Sequence, residues 1–126
     1  MQYVRIYTDL SGESHFEDVQ IALSPIPGDP STAPIAISAF IPADQCAFVR
    51  CPPAGKSGWQ TAPRRQFVFV LAGENETEVS DGEVRRFDTG SILLFEDTAG
   101  KGHNGRFIGA EDALLALVEL PDYAND

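Results

Sequence analysis

Ten short runs rich in β-branched, aromatic and aliphatic residues, none longer than nine residues, alternate with turn signals along this 126-residue chain. Helical periodicity is weak nearly throughout, and regular short strands punctuated by turns are the pattern of an all-β sandwich or barrel. The expected strands are Gln2 to Tyr7, His15 to Leu23, Ile35 to Phe40, Cys46 to Arg50, Gln66 to Leu71, Asn75 to Val79, Glu83 to Phe87, Ile92 to Glu96, Gly105 to Ile108 and Ala113 to Leu120. The last of these, ALLALVEL, reads equally well as a short helix. Between Ser24 and Pro34 the segment SPIPGDPSTAP carries four of the nine prolines. Proline lacks the backbone donor a central strand needs, so this segment is expected to be a surface loop.

The clearest local signal is ETEVSDGEVRRF. Asp81-Gly82 suits the positive φ angles of a two-residue type I′ turn, which sets Val79 opposite Val84, Glu78 opposite Arg85 and Thr77 opposite Arg86. Glu74, Glu76 and Glu78 then share one face, the solvated face of a hairpin. In SILLFED, by contrast, Ile92 to Phe95 are four apolar residues in succession, which predicts a strand covered on both faces.

Length fits one domain, expected to span residues 1–126 and able to fold without metal or disulfide staples. Nine Lys and Arg against nineteen Asp and Glu leave a formal charge of -10, which repels a phosphate backbone and argues against nucleic acid as partner. No apolar run approaches the roughly 20 residues that span a bilayer, and MQYVRIYTDLSG lacks the features of a secretory leader. The expected setting is the cytoplasm, with no membrane partner. Cys46 and Cys51, five positions apart in QCAFVRC, lie about 16 Å from each other in an extended strand, too far to bridge.

From Gly58 to Ile108, about half the chain, the order RRQFVFVLAGENETEV, DGEVRRFDTGSILLFED, GKGH resembles the conserved barrel of the cupins, with residues 1–50 as preceding strands. The resemblance implies an antiparallel jelly-roll β-barrel with little helix. Cupin motifs place two histidines and a glutamate, then a third histidine, around one divalent metal. Here Gly58, Gly73, Gly82 and Gly90 fit the motif glycines, Gln60 and Ala62 stand at the first two histidine positions, and Gln66 stands at the glutamate. Thr89 replaces the usual proline, and His103 is the third histidine after a lengthened loop. The resemblance therefore implies either a weak divalent metal site at His103, Gln60 and Gln66, for which zinc, iron, manganese and nickel are not distinguished, or no metal. Carboxamides are poor donors to first-row metals.

The loop EDTAGKGH concentrates Glu96, Asp97, Lys101 and His103 beside two glycines, and a carboxylate that fixes a histidine's tautomer is an arrangement suited to acid–base chemistry. The expected catalytic residues are His103, Glu96 and His15, the last brought to the barrel mouth by an early strand. If WQTAPRRQ is extended, Gln60, Arg64 and Gln66 share a face and form a substrate-binding set, the guanidinium being suited to an anionic group. Two functions remain open: an enzyme acting on a small organic molecule by isomerase, cyclase, lyase or oxygenase chemistry, and a non-catalytic binding or sensor module using the same pocket. A homodimer is compatible with either.

Overall fold

The computed structural model describes residues 1–28, 33–54 and 57–122. Eleven strands form, and no helix does among the described residues: β1 (Gln2–Thr8), β2 (Ser14–Gln20), β3 (Ser24–Pro25), β4 (Ala36–Ile37), β5 (Gln45–Cys51), β6 (Gln66–Ala72), β7 (Glu74–Val79), β8 (Val84–Phe87), β9 (Ile92–Phe95), β10 (His103–Ile108) and β11 (Ala113–Glu119). Six of them make one sheet in the order β2-β1-β9-β6-β11-β5, and three make a second in the order β10-β7-β8. Every pairing is antiparallel except β1 with β9. The flanks of the 54–60 segment add to the free side of β10, through Ala54 N–H to Phe107 O, Ser57 N–H to Gly105 O, and reciprocal bonds of 2.9 Å between the Gln60 and His103 backbones.

The two sheets face one another across Ile6, Phe16, Val68, Val70, Leu93 and Leu115 from the large sheet and Val79 and Phe87 from the small one. Each such side chain contributes roughly 1.5–3 kcal/mol by leaving water. The outer face of the large sheet carries a second cluster, Phe67, Leu94 and Leu120, supported by Tyr3, Phe69 and Val118. This explains the unbroken apolar run in β9. Leu93 points into the barrel and Leu94 points out, and both are nearly inaccessible.

Several expectations need correction. The β7–β8 loop has three residues, not two: Val79 N–H bonds Glu83 O, and Glu78 pairs with Val84. Among the described residues no non-glycine has a positive φ, so Asp81 cannot supply the first position of a type I′ turn, and Gly82 alone takes the left-handed conformation, at φ 99°. The Asp81 carboxylate instead accepts from Glu83 N–H, and Ser14 Oγ accepts from Ser80 N–H, tying the loop to β2. The register moves by one, so Thr77 faces Arg85 and Glu76 faces Arg86. ALLALVEL is strand over Ala113–Glu119, held between β5 and β6. The run from Ile35 to Phe40 yields only Ala36–Ile37, paired with Ser24–Pro25 in a separate two-stranded ribbon. The proline-rich loop thus starts with a short edge strand, and its centre lies outside the described residues.

Candidate functional site

Between the sheets lies a cavity of about 190 Å³. Its walls are apolar at Val68, Val70, Leu93, Leu115, Leu117 and Phe107, side chains that alternate inward along β6, β9, β11 and β10. A second depression, lined by Thr61, Ala62 and Pro63, shares Gln60, Gln66, Phe95 and His103 with it, which makes those four residues the threshold between cavity and surface.

His103 opens β10, and its imidazole stands against the Phe95 ring at 4.7 Å between centroids. Its Nδ1 lies 2.6 Å from Asp97 Oδ2. Asp97 is wholly buried, its backbone carbonyl accepts from Ala62 N–H, and its Oδ1 is buried with no hydrogen-bond partner. A carboxylate can only accept here, so the neutral imidazole carries its proton on Nδ1 and offers Nε2 as an acceptor. Among the described residues nothing bonds Nε2.

The loop that carries this pair is fixed from both sides. Thr8 Oγ1 donates to Ala99 O, Lys101 N–H to Gly12 O, and Ser14 Oγ to Gly102 O. Gly102 has φ 74°, and a Cβ there would strike the Gln60 backbone. Only glycine lets β10 begin close enough to pair with Gln60, and that pairing holds His103 at the threshold.

Of the residues expected from sequence, Gln60, Gln66 and His103 meet at the cavity. Glu96 does not. Phe95 points inward, so Glu96 points outward, where its carboxylate, 5% exposed, receives Arg5 Nε and Arg65 Nε. Arg64 does not either: Pro63 ends the alternation, Arg64 lines neither depression, and its guanidinium is taken up by Asp44 and Glu119 at 2.7 Å each. His15 is on the outer face of β2, since Ser14 and Phe16 are the buried positions. Its two ring nitrogens each lie 2.7 Å from a carboxylate oxygen, of Asp9 and of Asp81. Those bonds raise the His15 pKa, with Asp9 the larger cause and Asp81 next, and the bond from His15 holds Asp9 well below the usual carboxylate range.

Sequence reasoning missed Asn75, Thr77 and Gly105, which also line the cavity. It named Asp97 within the acidic loop but chose Glu96 as the acid; strand parity from Leu93 would have selected Asp97.

The donor set does not fit a first-row divalent ion. It offers one imidazole, already engaged at Nδ1, and two carboxamides, and among the described residues no group of three His, Cys, Asp or Glu side chains could hold a metal.

No family model matches this chain, and no curated protein does. Among solved structures, the cupin domain of Cnp3 from Schizosaccharomyces pombe is similar over 86% of this chain and 73% of its own, with a TM-score of 0.51 at 12% identity. A putative ethanolamine utilization protein Q from Salmonella typhimurium covers 96% of both chains at 14% identity with a TM-score of 0.43. A protein from Neisseria meningitidis covers 60% of this chain and 72% of its own at 20% identity with a TM-score of 0.47. The Cnp3 likeness shows the fold: this chain is a small cupin-type β-barrel, as the motif glycines imply.

Proposed function

We propose that this cupin-fold protein binds a small organic molecule between its sheets and moves a proton on it through the Asp97–His103 pair. The observation that carries the reading is the 2.6 Å contact of His103 Nδ1 with the buried Asp97 carboxylate at the threshold of the cavity. A fixed Nδ1–H tautomer leaves Nε2 free to take a proton from a ligand and return it, the role of a general base and then a general acid. Isomerisation, cyclisation and elimination all need that step. Gln60 and Gln66 offer donors and acceptors that orient the ligand. The reading carries no metal, on the ground of the donor set, and assigns the chain to the cytoplasm, where the free thiols of Cys46 and Cys51 stay reduced. No helix among the described residues is long and apolar enough to cross a membrane.

A second reading is binding without turnover. It draws support from Glu96 being turned away, which leaves His103, backed by Asp97, as the titratable side chain lining the cavity among the described residues. In either case a second copy of the chain is the proposed partner. The edge strand β5 exposes Phe48 at 78%, and Phe40 is 91% exposed, a liability that pairing covers.

The test is retention. The purified chain is mixed with a small-molecule extract, unbound material is removed, and the retained compounds are identified by mass spectrometry. A compound held by the native chain and lost in Gly105→Leu, which fills the cavity, supports the reading. Equal retention by both would overturn it. Conversion of that compound by the native chain but not by His103→Gln separates catalysis from binding.

A further inference from the structure

The cavity is polar at two levels. At the threshold stand His103, Gln60 and Gln66. Gly105 lies two positions further along β10, about 7 Å deeper, and pairs across the sheet with Thr77. Thr77 is 1% exposed, and its hydroxyl donates to Asn75 Oδ1 at 2.5 Å. Asn75 Nδ2 in turn donates to the Arg106 carbonyl at 3.1 Å. A carbonyl can only accept, so the amide orientation is fixed, and with it the direction of the Thr77 proton. What Thr77 Oγ1 presents to the cavity is therefore lone pairs alone.

Gly105 puts no side chain over this oxygen, which borders the cavity. Its φ is not in the left-handed region, so conformation does not demand glycine there. A Cβ at this position would sit 3.6 Å from Thr77 Oγ1 and 3.7 Å from Asn75 Nδ2, in ordinary contact, and would cover both. The missing side chain leaves space over a buried acceptor, with no strain to relieve.

Charge completes the case. Among the described residues no Lys, Arg, Asp or Glu lines the cavity, and the one titratable side chain on its wall, His103, is engaged at Nδ1 by Asp97. An anion would be desolvated without a counter-charge, which is far more costly than burying a hydroxyl that finds a partner. The volume is somewhat larger than the roughly 150 Å³ apolar cavity known to accept benzene.

Resting on the small-molecule reading above, we infer that the cavity selects an uncharged molecule about the size of one substituted six-membered ring, which donates a hydrogen bond to Thr77 Oγ1 while its other end meets the His103 threshold. Thr77 and Gly105 are the specificity-determining residues.

Three probes of similar shape test this on the intact chain by amide chemical-shift titration: benzyl alcohol, toluene and benzoate. Benzyl alcohol is expected to shift β7 and β10 amides and to bind about fivefold more tightly than toluene, the scale of one net hydrogen bond, with benzoate weakest. In Thr77→Val the preference for benzyl alcohol over toluene disappears while toluene still binds. In Gly105→Ala, a separate route to the same readout, the preference also falls. Binding in which benzoate is favoured, or in which both variants keep the native preference, overturns this inference alone. Binding of none of the three at the cavity overturns the small-molecule reading and this inference with it.

Discussion

Asp97 and His103, six positions apart, are joined side chain to side chain at 2.6 Å because Asp97 follows β9 and His103 opens β10, with the intervening loop pinned against the β1–β2 turn. Asp97 Oδ1 has no partner, so the bond of the imidazole to Oδ2 is the carboxylate's main compensation for burial. Removing one member of a buried pair leaves an uncompensated group. His103→Ala is therefore expected to lower unfolding stability by about 3 kcal/mol. Urea denaturation measures this, and a loss below about 1 kcal/mol would show that Asp97 does not depend on the imidazole.

The second histidine makes a different prediction. His15 bridges Asp9 in the β1–β2 turn and Asp81 in the β7–β8 loop. Its raised pKa gives stabilisation that is fully present below the ordinary histidine value of 6.5 and is lost as pH rises through the raised value. Asp81, lowered chiefly by the Glu83 backbone N–H, and Asp9 behave oppositely. Their contribution is present above the ordinary aspartate value of 3.8 and is lost as pH falls through the depressed values. The bridge is thus complete between 3.8 and 6.5. Thermal unfolding of the native chain should weaken from pH 6.5 upward more steeply than that of His15→Gln. Parallel pH profiles for the two proteins would rule out the bridge.

Glu96 has a structural part. Its buried carboxylate joins Arg5 on β1 to Arg65 ahead of β6, on the side of the sheet away from the cavity. Glu96→Gln should cost about 2 kcal/mol, since both arginines keep some access to water, while probe binding at the cavity stays at the native level. Calorimetry and the amide titration together check this. Lost probe binding in a folded variant would return Glu96 to the site.

Elemental analysis of protein purified without chelators or a metal-bearing tag is expected to find no stoichiometric transition metal, because the threshold supplies one half-engaged imidazole and two carboxamides. One metal per chain, lost in His103→Ala, would contradict that expectation.

The fold was legible because it rests on patterns that survive in sequence. Period-two alternation of the glutamates in β7, the two-sided apolar run of β9 and the motif glycines each reflect a backbone or burial constraint local to a few residues. The hairpin register was not, because Asp81 and Ser80 are held by Ser14 Oγ and the Glu83 amide, and the Ser14 contact is 66 residues distant. Within the site, Gln60, Gln66 and His103 could be read from their motif positions. Arg64 and Glu96 could not, since their partners, Asp44, Glu119, Arg5 and Arg65, are brought together by the sheet order alone. Thr77 and Gly105 drew no notice because an uncharged hydroxyl and an absent side chain carry no compositional signal.

In the proposed function a ligand meets His103 Nε2 while Asp97 holds Nδ1. Long-range ¹⁵N–¹H spectra of His15→Gln, in which His103 is the sole imidazole, report it directly. A protonated Nδ1 and an unprotonated Nε2 are expected in the neutral free protein, with the Nε2 resonance moving when the compound retained from the extract is added. An Nε2–H tautomer, or a bound compound that leaves Nε2 unmoved, would contradict it.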